Sequence, residues 1–224
     1  MSKFNFVDID ENLLPKTKGK RIDGMRFYDV DGKNFPSITT VLGVKKSAGL
    51  AGWRKSIGED VAKWEMGRAA RRGKSTHNLI ENYMKGEPAS DRSVLPLGLF
   101  RLIKPYVDQI NNVHLLERIM YSKDLTVAGQ TDCIAEFNGE LSVIDFKTAN
   151  SERKPEYVHS YFLQCTAYAK MYEETFGKKI NQIVVLCACE DGAMQVWKKN
   201  PDDYIEELKQ EIADFYKYYE KLKG

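Results

Sequence analysis

The stretch GQTDCIAEFNGELSVIDFKT, residues 129–148, carries two aspartates at matching positions on either side of a tight turn. Apolar and polar residues alternate on both sides of Asn138-Gly139, the strongest short-range signal for a hairpin with a two-residue loop. If these two residues form the loop, the register places Asp132 opposite Asp145. The stretch therefore predicts two antiparallel strands with a pair of carboxylates on one face.

Such a pair of carboxylates is unfavourable on its own. At a cross-strand separation of ~5 Å, two carboxylates repel by roughly 3 kcal/mol at an effective dielectric constant near 20. A divalent cation between them converts the repulsion into a binding site. We therefore predict a Mg²⁺ or Mn²⁺ site built from Asp132, Asp145 and the carbonyl oxygen of Phe146. Lys147 shares their face, where its ammonium group would position a water or neutralise charge on a phosphate. The alternative is a pair of solvent-exposed carboxylates.

The composition fits one globular domain without a membrane segment. The chain has 224 residues, of which 42% are hydrophobic and 29% charged, and its formal net charge is +2. This balance neither requires nor excludes nucleic acid as a partner. The longest apolar run, at 183–189, is too short to span a bilayer, and the N-terminus does not resemble a signal peptide. We therefore expect a cytoplasmic protein whose four cysteines are buried free thiols.

The order of the expected elements predicts an α/β fold. A small hairpin turns at Asp31-Gly32, and Ser37 caps a short helix. Further helices are predicted at 51–85 (with a break near Gly73), 97–112, 155–176 and 201–222 (capped by Asn200), and strands at 116–122, 126–137, 140–148, 180–189 and 193–198. Together they form a central mixed β-sheet flanked by helices. We expect a single domain, 1–224, in which residues 1–112 are mainly helical and residues 113–224 form the core.

The hairpin residues resemble the active-site signature of a known nuclease superfamily. Asp132, followed thirteen residues later by Asp145-Phe-Lys147, is similar to the PD-(D/E)xK core, and more narrowly to its RecB-type exonuclease branch. That branch also has G-x-x-x-H, G-x-x-D and Q-x-x-x-Y motifs, which are matched here by Gly73–His77, Gly129–Asp132 and Gln164–Tyr168. The stretches FPSITTVL and Trp53-Arg54-Lys55 resemble its mitochondrial genome-maintenance group, and phage exonucleases are also similar.

The resemblance implies a restriction-endonuclease-like core that hydrolyses DNA with a divalent cation. It assigns His77 as a third metal ligand, which would make Mn²⁺ as acceptable as Mg²⁺. It assigns Gln164 and Tyr168 to the catalytic machinery, where they would orient Lys147 and a phosphate; a purely structural role at the edge of the core is the alternative. Branch members with an iron–sulfur cluster carry C-x-x-C near the C-terminus. This chain has no such motif, so no cluster is expected.

A basic segment precedes the histidine motif. Between Lys63 and Lys74 five cations oppose one glutamate. Such a run is usually a solvated helix face, but beside a phosphodiester-hydrolysing site it indicates a track for the DNA backbone. If a helix begins near Gly73, the free N–H groups at its N-terminus would add positive charge to this track. The stretch RGKST, residues 72–76, resembles the end of a P-loop, but Arg68 stands where that motif needs glycine, so no use of ATP is expected. The residues predicted to contact DNA are Arg68, Arg71, Arg72, Lys74, Ser75, Thr148 and Trp53. Trp53 and Trp64 would be platforms for unstacked bases; a place in the core is the alternative for both.

The sequence as a whole predicts a metal-dependent DNA exonuclease that acts on single-stranded or end-frayed DNA in replication, recombination or repair. Its expected partners are DNA ends and recombination or replication proteins, and a virus-encoded enzyme of the host cytoplasm would suit so small a nuclease. Two alternatives stay open: a structure-specific or restriction-type endonuclease with the same core, and a catalytically inactive DNA-binding module. Two further acids are candidates for the site, Glu117 at the start of a strand and Glu81 one turn after His77.

Overall fold

A three-stranded antiparallel sheet opens the part of the chain that the computed structural model describes, which is residues 2–223 apart from the side chains of residues 46–48. Its strands are β1 (Gly19–Ile22), β2 (Met25–Val30) and β3 (Lys33–Pro36). Both turns use an Asp-Gly pair with positive φ, a conformation that aspartate tolerates and glycine adopts freely. The hairpin predicted at Asp31-Gly32 is confirmed, whereas β1 has no counterpart among the predicted elements.

Residues 2–223 form five α-helices around a second, larger sheet. They are α1 (Ile38–Ile57), α2 (Glu59–Lys85), α3 (Val94–Val107), α4 (Pro155–Phe176) and α5 (Ile205–Lys223). Ser37 caps α1 as predicted, since its side chain accepts a hydrogen bond from the backbone N–H of Thr40. Within residues 2–223, no helix combines the length and the apolar character needed to cross a membrane.

Helix α2 runs without interruption through Gly73, so the break predicted there is wrong, as is the free helix N-terminus expected with it. The chain breaks instead at Gly58, whose φ of 89° separates α1 from α2. A Cβ atom at Gly73 would lie 3.7 Å from Oγ1 of Thr148. The glycine therefore allows α2 to pack closely on the following sheet and does not mark an end of the helix.

The larger sheet is mixed and has five strands in sequential order. They are β4 (Ile110–Ser122), β5 (Val127–Phe137), β6 (Glu140–Ala149), β7 (Gln182–Cys189) and β8 (Met194–Lys199). Only β6 and β7 are parallel, and α4 makes the crossover between them. One face packs against α1, α4 and α5, and the other against α2 and α3. The predicted α/β class with a helix-flanked mixed sheet is confirmed.

The hairpin between β5 and β6 has the predicted register. Asn138 and Gly139 both have positive φ, and the strand pairing runs from the loop as far as Cys133 and Ile144. The pairing ends there because Oδ2 of Asp132 accepts a hydrogen bond of 2.8 Å from the backbone N–H of Phe146. Beyond this point β5 pairs with β4 alone and β6 with β7 alone. The two strands therefore separate where the two aspartates lie.

Candidate active site

Three side chains from three elements converge where β5 and β6 separate. Glu117 of β4 lies opposite Asp132 of β5, because the neighbouring residues on either side are paired with each other. His77 reaches the same place from α2. One potential ligand atom from each of these residues lies within 4.8 Å of the others. An imidazole nitrogen with two carboxylates is a donor set that suits Mn²⁺ or Mg²⁺. Together these three residues are called the acid–histidine cluster below.

Glu117 adopts an uncommon backbone conformation for its position. Its φ is +52°, although it lies inside a strand and is not glycine. A residue held in the left-handed region costs about 1–2 kcal/mol, and such residues concentrate at functional sites. The carboxylate accepts a hydrogen bond from Nε2 of Gln130 at 2.8 Å, which fixes its direction toward the cluster. The only hint in the sequence is the pair Leu115-Leu116, both buried, which interrupts the alternation of β4 just before Glu117.

His77 is oriented by the backbone of β6. Its Nε2 lies 2.7 Å from the carbonyl oxygen of Phe146, an atom that can only accept, so Nε2 carries the hydrogen and donates it. Nδ1 then faces the carboxylates of Glu117 and Asp132, each 3.6 Å away. Burial alone would lower the pKa of His77, but the charges of Asp132 and Glu117 raise it to about 9. The carbonyl of Phe146, predicted as a metal ligand, is used here to hold the histidine ring.

Asp145 and Lys147 form a buried ion pair beside the cluster. The Lys147 ammonium contacts Oδ2 of Asp145, whose side chain is only 1% exposed. Among the described residues, neither carboxylate oxygen of Asp145 accepts a hydrogen bond of ordinary geometry. Burial and the charge of Asp132 raise the pKa of Asp145 to about 6, although Lys147 opposes this. Burial would lower the pKa of Lys147, but the two aspartates raise it above its ordinary value.

The predicted Gln164 and Tyr168 pack behind β5. Nε2 of Gln164 donates to the hydroxyl of Tyr168 at 3.2 Å, and the tyrosine ring is buried. A Cβ atom at Gly129 would lie 2.8 Å from a ring carbon of Tyr168. The G-x-x-D and Q-x-x-x-Y motifs are therefore in direct contact. The ammonium group of Lys147 lies over the ring of Tyr161, 5.1 Å from its centroid, and the sequence patterns did not indicate this tyrosine.

The basic residues of α2 divide into two groups. Arg72 is buried, and its guanidinium group binds Thr148 at 3.2 Å as well as Asn150 and Glu190. This arrangement favours a structural role for Arg72 over the predicted DNA contact, and the Thr148 hydroxyl is used in the same way. Arg68 is half-buried, lies over the ring of Trp64 and pairs with Glu190 at 3.2 Å.

The other predicted DNA contacts lie at the surface. Arg71 and Lys74 are exposed, and the exposed fraction of Trp53 on α1 is 37%. Because an α-helix turns about 100° per residue, Lys74 lies within about 60° of His77 around α2, whereas Arg71 and Ser75 lie more than about 100° away. Of the predicted DNA contacts on α2, Lys74 is therefore the one that shares the side of His77. Glu81 pairs with Lys85 at 2.6 Å and is not part of the cluster.

Comparison with known proteins identifies a family. The model of the PD-(D/E)XK nuclease superfamily matches residues 50–223. Mitochondrial genome maintenance exonuclease 1 of Homo sapiens is 26% identical over 174 residues, which cover 70% of this chain and 50% of that protein. The Mus musculus protein is 25% identical over 174 residues, covering 71% and 51%. The chain thus spans about half the length of the curated relatives it matches. A crystal structure of a candidate exonuclease from Eubacterium rectale aligns over 66% of each chain, with a TM-score of 0.47 and 9% identity.

Proposed function

Because this chain belongs to the PD-(D/E)XK nuclease superfamily, we propose that it is a divalent-cation-dependent exonuclease acting on single-stranded or end-frayed DNA. The observation that carries the proposal is the acid–histidine cluster with the Asp145–Lys147 ion pair beside it. Hydrolysis of a phosphodiester needs positive charge around the scissile phosphate and an activated water, and these residues have the chemistry to organise both.

The donor set fits a divalent cation. Glu117 and Asp132 bring two carboxylates close together, and the buried carboxylate of Asp145 is left without ordinary hydrogen bonds among the described residues. We propose that Nδ1 of His77 and the carboxylates of Glu117, Asp132 and Asp145 hold one or two ions. When bound, Mg²⁺ or Mn²⁺ would polarise the phosphate and lower the pKa of a water.

The remaining residues act by position and charge. Lys147 would stabilise the negative charge that develops on the phosphate, and Asp145 and the ring of Tyr161 fix the direction of its ammonium group. The carbonyl of Phe146 would keep Nδ1 of His77 turned toward the carboxylates. Gln164 and Tyr168 would support the strand that carries Asp132. In-line attack of water would leave a 5′-phosphate and a 3′-hydroxyl.

A cleavage assay on matched linear and circular single strands tests the proposal. With Mg²⁺ or Mn²⁺ we expect the purified protein to release nucleotides from an end-labelled linear strand, and EDTA to abolish the release. A covalently closed circle of the same sequence should stay intact, since an exonuclease cannot start on it. Cleavage of the circle would instead identify an endonuclease. Saturable binding without any cleavage would identify an inactive binding module.

A substitution at Lys147 tests the site assignment. Lys147→Met removes the ammonium group and keeps most of the side-chain volume, so we expect loss of a group acting on transition-state charge to lower kcat by about 10²–10³-fold. Lys154→Met, an exposed lysine just before α4, is the matched control and should retain full activity. An unchanged rate in Lys147→Met would contradict the assignment.

We also propose that the protein processes DNA ends in replication, recombination or repair, with proteins of those pathways as partners. The curated relatives are named for mitochondrial genome maintenance, which supports a role in handling DNA. A virus-encoded enzyme acting in a host cytoplasm is the setting we propose, from the resemblance of the motifs to those of phage exonucleases. Copurification of tagged protein from infected cells, with and without nuclease treatment, would test for such partners.

A further inference from the structure

A cavity of about 750 Å³ opens next to the acid–histidine cluster, and the mechanism above does not use it. One wall is the N-terminal segment, residues 11–18, and the opposite wall is formed by β4 at Glu117, Arg118 and Ile119. Because Glu117 belongs both to this wall and to the cluster, the cavity adjoins the place where the scissile phosphate would lie. Its volume is in the range of pockets that hold ligands of nucleotide size.

The wall formed by residues 11–18 is attached to the rest of the fold on both sides. Upstream, backbone hydrogen bonds join Asn5 and Val7 to Val113 of β4, at 2.7 and 2.8 Å. Downstream, the segment continues directly into β1, which pairs with β2. Between these points the Glu11 carboxylate pairs with the guanidinium group of Arg118. The cavity is therefore a defined feature of the fold.

The cavity carries positive charge that the protein itself does not use. Lys16 and Lys18 line it, both are exposed, and neither ammonium group has an ion-pair or hydrogen-bond partner within the described part of the chain. Arg118 is neutralised by Glu11, and the charge of Glu117 is directed to the cluster. Two unpaired cations at the rim of an open cavity suit phosphates of a polyanionic strand.

We infer that this cavity binds the part of the nucleic-acid strand that lies on one side of the scissile phosphate, with Lys16 and Lys18 binding two successive backbone phosphates. The inference rests on the proposed function and adds a substrate subsite to it. Asn12 and Thr17 line the same cavity and offer polar groups to the sugar or base. The subsite contributes to binding of a polymer and leaves the chemistry of the bond unchanged.

The double variant Lys16→Ala/Lys18→Ala tests the subsite by salt dependence. Binding of a labelled twenty-nucleotide single strand is followed by fluorescence anisotropy in EDTA, so that no cleavage occurs. Each phosphate contact to a single strand contributes about 0.7 to the slope of log K against log salt, so the double variant should lower that slope by about 1.4. Lys33→Ala/Lys221→Ala, two exposed lysines outside the cavity, should leave the slope unchanged.

Kinetics with two substrates separate the subsite from the site of chemistry. For the double variant we expect KM for the twenty-nucleotide strand to rise several-fold at 0.15 M salt, because two phosphate contacts are lost. Hydrolysis of thymidine 5′-(4-nitrophenyl phosphate), which has no neighbouring phosphates, should stay within twofold of the original protein. An unchanged salt slope, or an equal loss on both substrates, would overturn the inference. Absence of hydrolysis by the original protein would count against the proposed function alone, since the anisotropy result stands without it.

Discussion

At the scale of single residues, Gly129 decides whether two motifs can pack together. A Cβ atom at Gly129 would lie 2.8 Å from a ring carbon of Tyr168 and 3.1 Å from a methyl carbon of Ile38. Because the ring is buried it cannot move aside, so Gly129→Ala should destabilise the fold by about 1–3 kcal/mol. Urea denaturation measures this change. Gly98→Ala is the matched control, since nothing lies within 4 Å of a Cβ there and alanine favours the helix. Equal effects of the two substitutions would contradict the packing argument.

Glu117 is expected to lower the stability of the folded protein while making cation binding possible. Its positive φ suits glycine, so in the cation-free protein Glu117→Gly should be more stable than Glu117→Gln by about 1 kcal/mol of relieved backbone strain. The same change should abolish uptake of Mn²⁺ in calorimetry. Glu117→Gln keeps the backbone strain and removes the charge, so the difference between the two variants isolates the strain. A glycine variant less stable in EDTA than the glutamine variant would refute this account.

His77 should link cation binding to pH. Without a cation its pKa is raised to about 9, so Nδ1 is protonated at neutral pH and must lose that proton to bind a metal. Affinity for Mn²⁺ should therefore rise by up to about tenfold per pH unit between pH 7 and 9. Calorimetry in buffers of different ionisation enthalpy should detect about one proton released near pH 7.5. His77→Gln should remove this release, and a release that persists in the variant would assign it to another group.

The residues that sequence reasoning could find are those fixed by short spacings. Asp132 and Asp145 follow from the hairpin register, because the turn type sets every pair up to the aspartates. His77 came from a resemblance, since one histidine on a helix carries little information by itself. Glu117 was only a weak candidate, because its direction depends on a positive φ that no pattern reveals. The burial of Arg72 could not be predicted either, because a run of arginines usually indicates a solvent-exposed helix face.

At the scale of elements, the buried side chain of Arg72 joins α2 to the ends of β6 and β7. Its guanidinium group binds Thr148 near the end of β6, Asn150 just after β6 and Glu190 just after β7. Arg72→Met would leave the Glu190 carboxylate without its buried partner, which should cost about 2–4 kcal/mol. Arg68→Met is the control, because that half-exposed ion pair is worth less than about 1 kcal/mol. Urea denaturation of both variants measures these changes in the free energy of unfolding. A small effect of Arg72→Met would contradict the structural role and favour the predicted DNA contact.

Elements with strong local signals were predicted well, and those set by tertiary packing were not. The β5–β6 hairpin has a tight turn, and α4 has a regular apolar face and ends at a glycine. Helix α2 was predicted with a break because glycine disfavours helices locally, but close packing on Thr148 outweighs that preference. Strand β4 begins at Ile110, six residues before the prediction, because a register shift between Asn111 and Leu115 hides its alternation.

At the scale of the whole molecule, both faces of the large sheet are covered by residues from each half of the chain. Phe4, Ile80 and Leu99 pack with Ile144 and Val184 on one face. On the other face, α1 packs with α4 and α5. The predicted division into residues 1–112 and 113–224 stays a prediction, and the shared core leads us to expect one cooperative unfolding transition.

The proposed cation site would also couple distant parts of the chain, because its residues come from α2, β4, β5 and β6. An ion that binds only the folded protein stabilises it by about 2.7 kcal/mol at a concentration of 100 Kd. For a chain of this length that corresponds to a rise in Tm of about 5–10 °C. We therefore expect Mn²⁺ to raise the Tm by this amount relative to EDTA. Asp132→Asn, which removes a proposed ligand, should lose the rise, whereas Asp124→Asn at an exposed turn should keep it. A rise that survives in Asp132→Asn would mean that the ion stabilises the protein from somewhere other than the acid–histidine cluster.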